Sequence, residues 1–245
     1  MKKIYLVKTG TTFPTTAEKY GDFDDWVIRT LGESARAIEV VDVTDAAALS
    51  QLQGLSLDAL AGVIITGSHE VVTDGLDWSL ALERWLPKLV KQEVPILGIC
   101  YGHQLLAHAM GGKVGFHPLG KEVGTVEIDL LPSCEADPLF RSLPPSFLVQ
   151  VTHAQTVLEL PLGAERLAAN IHEPNHAYRL GACAWGVQFH PEYTPDIMRD
   201  YLVMQEKSLQ SAGQNVPQLL GAVADTPFSA EVLRGFAKLM EGHST

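Results

Sequence analysis

The sequence predicts an α/β fold, a mostly parallel central sheet flanked by helices. Three observations carry that expectation. Apolar runs at Ile4–Val7, Ile38–Val43, Ala61–Ile65 and Val94–Ile99 read as buried strands. Between the last two, Trp78, Leu82, Trp85, Leu86 and Leu89 recur at helical spacing. The stretch Val94-Pro-Ile-Leu-Gly-Ile-Cys100-Tyr-Gly-His-Gln then passes from strand to helix through a sharp turn.

The chain has 245 residues, 46% hydrophobic and 19% charged, which suits one large α/β domain over 1–245. No internal repeat, low-complexity segment or second domain is expected. A formal charge of −11 opposes non-specific binding to nucleic acid or an anionic membrane. No apolar run approaches a membrane span, and the start, Met-Lys-Lys-Ile-Tyr-Leu-Val-Lys, is too short and polar for a signal peptide. Three scattered cysteines make neither a disulfide framework nor a zinc spacing. Cys134 and Cys183 are expected to be inert core or loop thiols, and the compartment cytoplasmic.

Each element follows in turn. Ile4–Val7 is the first strand. Thr9–Trp26 is rich in turn residues and aromatics, and leads into a helical pattern through Trp26, Ile28 and Leu31. Ile38–Val43 is the second strand, and residues 44–58 are a helix or connector. Ala61–Ile65 is a third, buried strand that ends in Thr66-Gly-Ser-His-Glu70. A glycine-bearing loop after a parallel strand lies at the carboxyl edge of the sheet, where α/β sites form. Asp74 to Glu93 carries a helix, and the helix after Cys100 stops at Gly111-Gly112. Alternation over Thr125–Leu130 marks a half-exposed strand. Pro132–Pro145 is loop with a short helical piece, and Phe147–Gln155 is a strand running into a loop. Residues 166–189 supply short strands, including His176–Leu180 and Ala184–Phe189. Pro195 opens a helix through Gln210, since proline is tolerated in a first turn. Gly213–Phe228 reads as a flexible stretch, and Ser229 as the cap of a last helix to Met240.

Chemistry enters at the turn. In Gly98-Ile-Cys100-Tyr-Gly102, small residues two before and two after the cysteine allow a tight bend that pushes the sulfur outward. The amides opening the next helix favour its thiolate. A buried structural cysteine is the alternative, since free cysteine is among the most buried residue types. The segment Gly181-Ala-Cys-Ala-Trp-Gly-Val-Gln-Phe-His190-Pro-Glu192 shifts the balance. On an extended chain residues two apart face one way, so His190 and Glu192 supply a base and the carboxylate that orients it. With Cys100 they form a nucleophile–base–orienter set in the order Cys, His, Glu. Singly, His190 could be a bonded strand-end histidine and Glu192 a solvated loop acid.

Pro-Ile-Leu-Gly-Ile-Cys-Tyr-Gly-His-Gln and Trp-Gly-Val-Gln-Phe-His-Pro-Glu together resemble class I (triad-type) glutamine amidotransferases. The resemblance is to the amidotransferase domain of GMP synthetase and its free-standing relatives, from the first strand through the helix after Glu192. It implies a flavodoxin-like amidotransferase fold with Cys100, His190 and Glu192 catalytic. It implies an oxyanion hole from the Tyr101 amide with Gly67 or Ser68, and substrate contacts at Gln104, Thr152, His153 and Gln155. The family's Ser-Gly-Gly-Pro turn has Ser68 and His69 in its last two positions here, but any non-proline residue still offers an amide. The family's Ser-His-Gly-Asp reads Thr152-His-Ala-Gln155, which keeps the histidine and replaces the acid by an amide. Gly120-Lys-Glu122-Val-Gly124 is similar to the family's Gly-x-Glu-x-Gly. Thr9–Trp26 is longer than the connection of compact members. It reads either as a surface loop or as the extension by which free-standing members reach over the site. His69 is expected to be a loop residue and not a catalyst, His103 and His108 to pack or hydrogen-bond, and no metal site is expected.

The reaction so implied has Cys100 attack the γ-carboxamide of glutamine or a γ-glutamyl compound. His190 protonates the departing ammonia or amine, then activates water against the thioester. It calls for no metal or nucleotide cofactor. No phosphate-binding Gly-rich Lys-Ser/Thr loop occurs, so a synthetase that accepts ammonia is expected as a separate subunit or not at all. Three readings stand: an amidotransferase feeding such a subunit, a stand-alone γ-glutamyl peptidase, and a non-catalytic interaction protein, which the intact triad disfavours. An α/β-hydrolase also has an elbow, but its histidine follows a separate acid.

Overall fold

The computed structural model describes residues 2–32 and 38–242. The first half of the chain runs β1 (Lys3–Lys8), α1 (Pro14–Tyr20), α2 (Phe23–Leu31), β2 (Ile38–Asp42), α3 (Ala46–Gln53) and β3 (Leu60–Ile65). It continues with α4 (Asp77–Lys91), β4 (Ile96–Ile99) and α5 (Tyr101–Ala109). The second half supplies β5 (Lys113–Phe116), β6 (Glu122–Leu130), β7 (Ser146–His153), β8 (Gln155–Glu159), β9 (Ala164–Ala169), β10 (Ala177–Leu180) and β11 (Ala184–Val187). Four helices follow: α6 (Pro195–Met204), α7 (Glu206–Ser211), α8 (Val216–Ala222) and α9 (Pro227–Gly242).

Among the described residues, nine strands form one sheet in the order β2-β1-β3-β4-β11-β10-β9-β6-β7. The run β2 to β11 is parallel. From β10 to β7 every pairing is antiparallel. Every residue of β3, β4 and β11 is buried, as a parallel strand covered on both faces requires. Alternation sorts the faces. Ile4, Leu6, Ile64, Leu97 and Ile99 pack with Val232, Leu233 and Phe236 of α9. Tyr5, Val7, Val63, Ile65 and Ile96 pack on the other side with the Leu82, Trp85, Leu86, Leu89 stripe of α4. Each such side chain contributes about 1.5–3 kcal/mol by leaving water.

The parallel register aligns Ile65 with Gly98 and Val187 with Ile99. The residues that follow β3, β4 and β11 therefore emerge side by side at one edge: Thr66–Gly67, Cys100 and Gln188–His190. That edge holds the candidate site.

Three local expectations are corrected. Thr9–Trp26 is largely helical: Pro14 sits in the first turn of α1, and Asp22 and Asp25 make a capping box for α2. Its turn-type residues are helix starts. The expected helix from Pro195 to Gln210 divides at Gln205, whose φ of −101° and ψ of 5° leave the helical region. Its side chain turns to hydrogen-bond Lys121. Within Gly213–Phe228, Asn215 accepts from the Gln218 amide and starts α8, and Pro227 starts α9. Ser229 is thus a fully buried residue inside the helix and not its cap.

Candidate active site

The nucleophile's place is set by backbone contact. A Cβ on Gly98 would lie 2.4 Å from the Gly102 carbonyl oxygen, and one on Gly102 would lie 2.6 Å from that of Ile65. Only glycine lets the chain fold back so closely. Cys100 itself has φ 48° and ψ −96°, a strained conformation for a residue with a side chain. Two bonds hold it there: the Cys100 amide donates to Val187 O at 2.8 Å, and the Gly102 amide to Thr66 O at 3.3 Å. The Tyr101 amide opens α5, a position with no intrahelical acceptor.

His190 follows β11 and is pinned by its amide, which donates to Gln150 O at 2.8 Å. Its ring Nδ1 donates to Glu192 Oε1 at 2.8 Å, and both side chains are buried. Burial by itself would lower the ring's pKa. The Glu192 carboxylate, and after it the Cys100 sulfur, outweigh that and raise it to about 10. Nε2 is buried without another hydrogen bond. Nucleophile–base contacts are often loose in free enzymes. Gly67 lies against both groups: a Cβ there would stand 2.9 Å from His190 Cε1 and 3.6 Å from Cys100 Cβ. Gln188 Nε2 donates to Cys100 Sγ at 3.4 Å, a contact the sequence reading did not single out although Gln188 lies within the quoted segment.

Two buried threonines lock the loop after β3. Thr9 Oγ1 and Thr66 Oγ1 each lie 3.0 Å from Gly67 O and donate to it. The peptide is trans, so the Ser68 amide points away from the threonines. Ser68 lines the cavity with Cys100 and Tyr101.

The cavity measures about 270 Å³. Gln104, Thr152, His153 and Gln155 all line it. Gln104 Nε2 is taken by Gln155 O at 2.8 Å and Gln188 Oε1 at 2.9 Å. His153 is held between Gln155 O and Glu122, each at 3.0 Å. Burial opposes ionisation of Glu122, but hydrogen bonds with His153 and His176 overcome it and keep the carboxyl well below its usual range. Gln155 donates to Thr73 Oγ1 at 2.6 Å and leaves its own Oε1 buried and unpartnered, an acceptor free for a ligand donor.

Of the two readings of Thr9–Trp26, the structure supports the cover. Phe13 and Phe23 line the cavity beside Cys100. Thr12 Oγ1 meets Tyr201 OH at 2.6 Å, and Asp200 accepts from Thr16 and Lys19 at 2.5 Å each. Trp26 stacks edge-on against Tyr193, ring centroids 5.2 Å apart. Tyr193 and Tyr201 escaped the sequence reading, because their only signal is the long-range packing itself, while Phe13 and Lys121 lay within quoted stretches without being singled out.

The other histidines are placed as follows. His69 is exposed at the cavity rim, which it helps to line, and contacts Tyr201 OH at 3.1 Å. His103 is fully buried and pushed to about 3 by that burial. His108 pairs with Glu83 at 3.0 Å. No group of three or more His, Cys, Asp or Glu among the described residues is arranged to hold a metal. Cys134 and Cys183 lie away from the cavity, and burial, then the charges of Asp137 and Glu93 respectively, push both thiols to about 11.

A strained cysteine at an α/β elbow, beside a histidine bound to a glutamate, defines a thiol-dependent acyl-transfer class of site. The family model described as glutamine amidotransferase class-I matches residues 17–207, and the chain belongs to that family. It is similar to a glutamine-hydrolysing GMP synthase of Aeropyrum pernix, 34% identical over 70% of this chain and 31% of that one. It is also similar to gamma-glutamyl peptidase 5 of Arabidopsis thaliana, 30% identical over 80% of this chain and 76% of that one. The chain thus spans about a third of the GMP synthase it matches. In fold it is like a glutamine amidotransferase of Thermotoga maritima, with TM-score 0.76, 20% identity and 98% of each chain covered. A glutamine amidotransferase of Methylobacillus flagellatus gives TM-score 0.65 and 22% identity over 98% of this chain and 90% of that one.

Proposed function

We propose that the protein hydrolyses the γ-carboxamide of glutamine or of a substituted γ-glutamyl compound through a thioester on Cys100. One observation carries the reading: Cys100 is forced outward at the elbow beside a His190 that Glu192 keeps protonated. Cys100 sulfur attacks the amide carbon. The Tyr101 and Ser68 amides receive the oxyanion, which the locked Gly67 carbonyl favours by turning the Ser68 amide outward. His190 gives its proton to the leaving nitrogen as the C–N bond breaks. The neutral ring then takes a proton from water, which attacks the thioester and releases the γ-carboxyl group and the thiol.

Gln155 Oε1 is the acceptor offered to the substrate's α-ammonium, with Gln104, Thr152 and His153 forming the rest of that wall. An amide oxygen binds an ammonium without the charge-assisted strength of a carboxylate. That weakness, the aromatic cover, and the likeness spanning most of a gamma-glutamyl peptidase favour a substituted γ-glutamyl amide as substrate. The second reading, ammonia supplied to a separate synthetase subunit, draws on the likeness to GMP synthases. A free thiol nucleophile suits a reducing compartment such as the cytoplasm.

Measuring kcat/KM for glutamine beside γ-glutamyl dipeptides separates the two. The peptidase reading expects dipeptides to be cleaved faster. Cleavage of glutamine alone, strongly accelerated by a synthetase subunit, would overturn it. Inactivity on every γ-glutamyl compound would overturn both.

A further inference from the structure

We propose that Lys121 receives a carboxylate carried by the substrate and is the charge-recognition group of the cavity. This rests on the function proposed above and deepens it by naming a specificity residue.

Lys121 lines the same cavity as Cys100 and His190. It is half-buried, and among the described residues it has no ion-pair partner. Its ammonium donates a short hydrogen bond to the neutral Gln205 Oε1. Neither carboxylate that lies nearby pairs with it. Glu122, next in sequence, is taken by His153, His176 and Asn170. Glu70 also borders the cavity but is exposed and makes no ion pair with Lys121. A lysine amine is seldom withdrawn from water unless an anion compensates it. Here desolvation lowers its pKa, and the Cys100 sulfur is the opposing influence. The missing anion is therefore expected from the ligand.

Gln205 holds the amine in place. Its Nε2 donates to Tyr201 O at 3.1 Å and to Thr152 Oγ1 at 3.4 Å, so the Lys121–Gln205 pair ties the entry to β6 to the Thr152 wall and the end of α6. A γ-glutamyl substrate has two places for a carboxylate: the α-carboxylate of the glutamyl part, and the carboxylate of an amino acid serving as leaving group. Each would form a charge-assisted hydrogen bond with the ammonium.

The test uses paired substrates on the full chain. γ-Glutamylglycine and γ-glutamylmethylamide differ by the leaving-group carboxylate. γ-Glutamylmethylamide and its α-carboxamide differ by the α-carboxylate. Lys121→Met is expected to lose about tenfold or more in kcat/KM, mostly through KM, on compounds that keep the recognised carboxylate. A loss confined to γ-glutamylglycine assigns the leaving-group carboxylate. An equal loss on γ-glutamylglycine and γ-glutamylmethylamide that vanishes on the α-carboxamide assigns the α-carboxylate. Lys121→Arg should recover a large part of the lost affinity. Should Lys121→Met fold poorly, Lys121→Gln keeps a donor for Gln205 and is scored in the same way. Equal activity of variant and parent on every compound, or a loss that persists on the α-carboxamide, overturns this inference while the proposed function stands. A parent protein inactive on all of them overturns both.

Discussion

Two parts of the molecule meet at the cavity, and they are built differently. At the elbow, positions are set by backbone against backbone: a methyl on Gly98 or Gly102 would stand 2.4 or 2.6 Å from a carbonyl oxygen. Across the cavity, α1 and α2 are held by side chains reaching far along the sequence. Thr12 to Tyr201, Thr16 and Lys19 to Asp200, and Lys8 to Asp22 and Asp24 are the ties. Backbone contacts between neighbours in a buried sheet leave no slack, whereas a buried hydrogen bond is worth about 1 kcal/mol and can be exchanged singly. The nucleophile's geometry is therefore hard to alter without losing the fold, while the cavity wall that α1 and α2 supply can vary more readily.

The comparison is broken most severely at the sulfur. Cys100→Ala should lower turnover by at least about 10³-fold. In the parent protein an electrophilic glutamine analogue should label Cys100 and spare Cys134 and Cys183, whose thiols are pushed to about 11. Peptide mass spectrometry reads the site, and a label on either of the other two with Cys100 unmodified would sink the assignment.

Next in size is Glu192→Gln, with kcat/KM expected to fall on the order of 10²-fold or more. The pH dependence gives the sign. His190 has a folded pKa of about 10, above its ordinary 6.5, so its contribution to stability is complete below 6.5 and is lost as pH rises toward 10. Without the Glu192 charge, burial dominates and the ring's pKa drops. The alkaline limb of the rate profile should move to lower pH, and the stability decline between those values should shrink in urea titrations. An unmoved alkaline limb would mean that Glu192 does not tune the base.

A smaller effect separates contact from conformation. Gly67→Ala would put a Cβ 2.9 Å from His190 Cε1, and a displacement of that ring should lower kcat by roughly 10²-fold. Gly75→Ala meets nothing within 4 Å but has φ 60°. It should keep its activity and lose about 1–2 kcal/mol of stability. Equal kinetics in the two variants would remove Gly67 from the site.

The smallest change tests the cover. Tyr201→Phe removes the hydroxyl that meets Thr12 at 2.6 Å and His69 at 3.1 Å, costing about 1–3 kcal/mol of stability. KM for a γ-glutamyl dipeptide should rise more than KM for glutamine. Equal change in the two would show that the cover does not sense the leaving group.

What was legible in the sequence was what short-range geometry dictates. The elbow spans five residues, and two glycines with one cysteine between them dictate its turn. His190 and Glu192 meet because an extended chain repeats every two residues. The parallel strands showed themselves as unbroken apolar runs, since both of their faces are covered. The helices of Thr9–Trp26 were harder to see, because threonine, proline and aspartate mark turns and helix starts alike. Tertiary structure alone decided that β6, β7, β9 and β10 extend the sheet antiparallel, and that Lys121 meets Gln205 across 84 positions and Thr12 meets Tyr201 across 189. Such contacts have no period and no local signature. They exist because packing the helices onto the sheet brings those side chains together, and that packing depends on the whole chain at once.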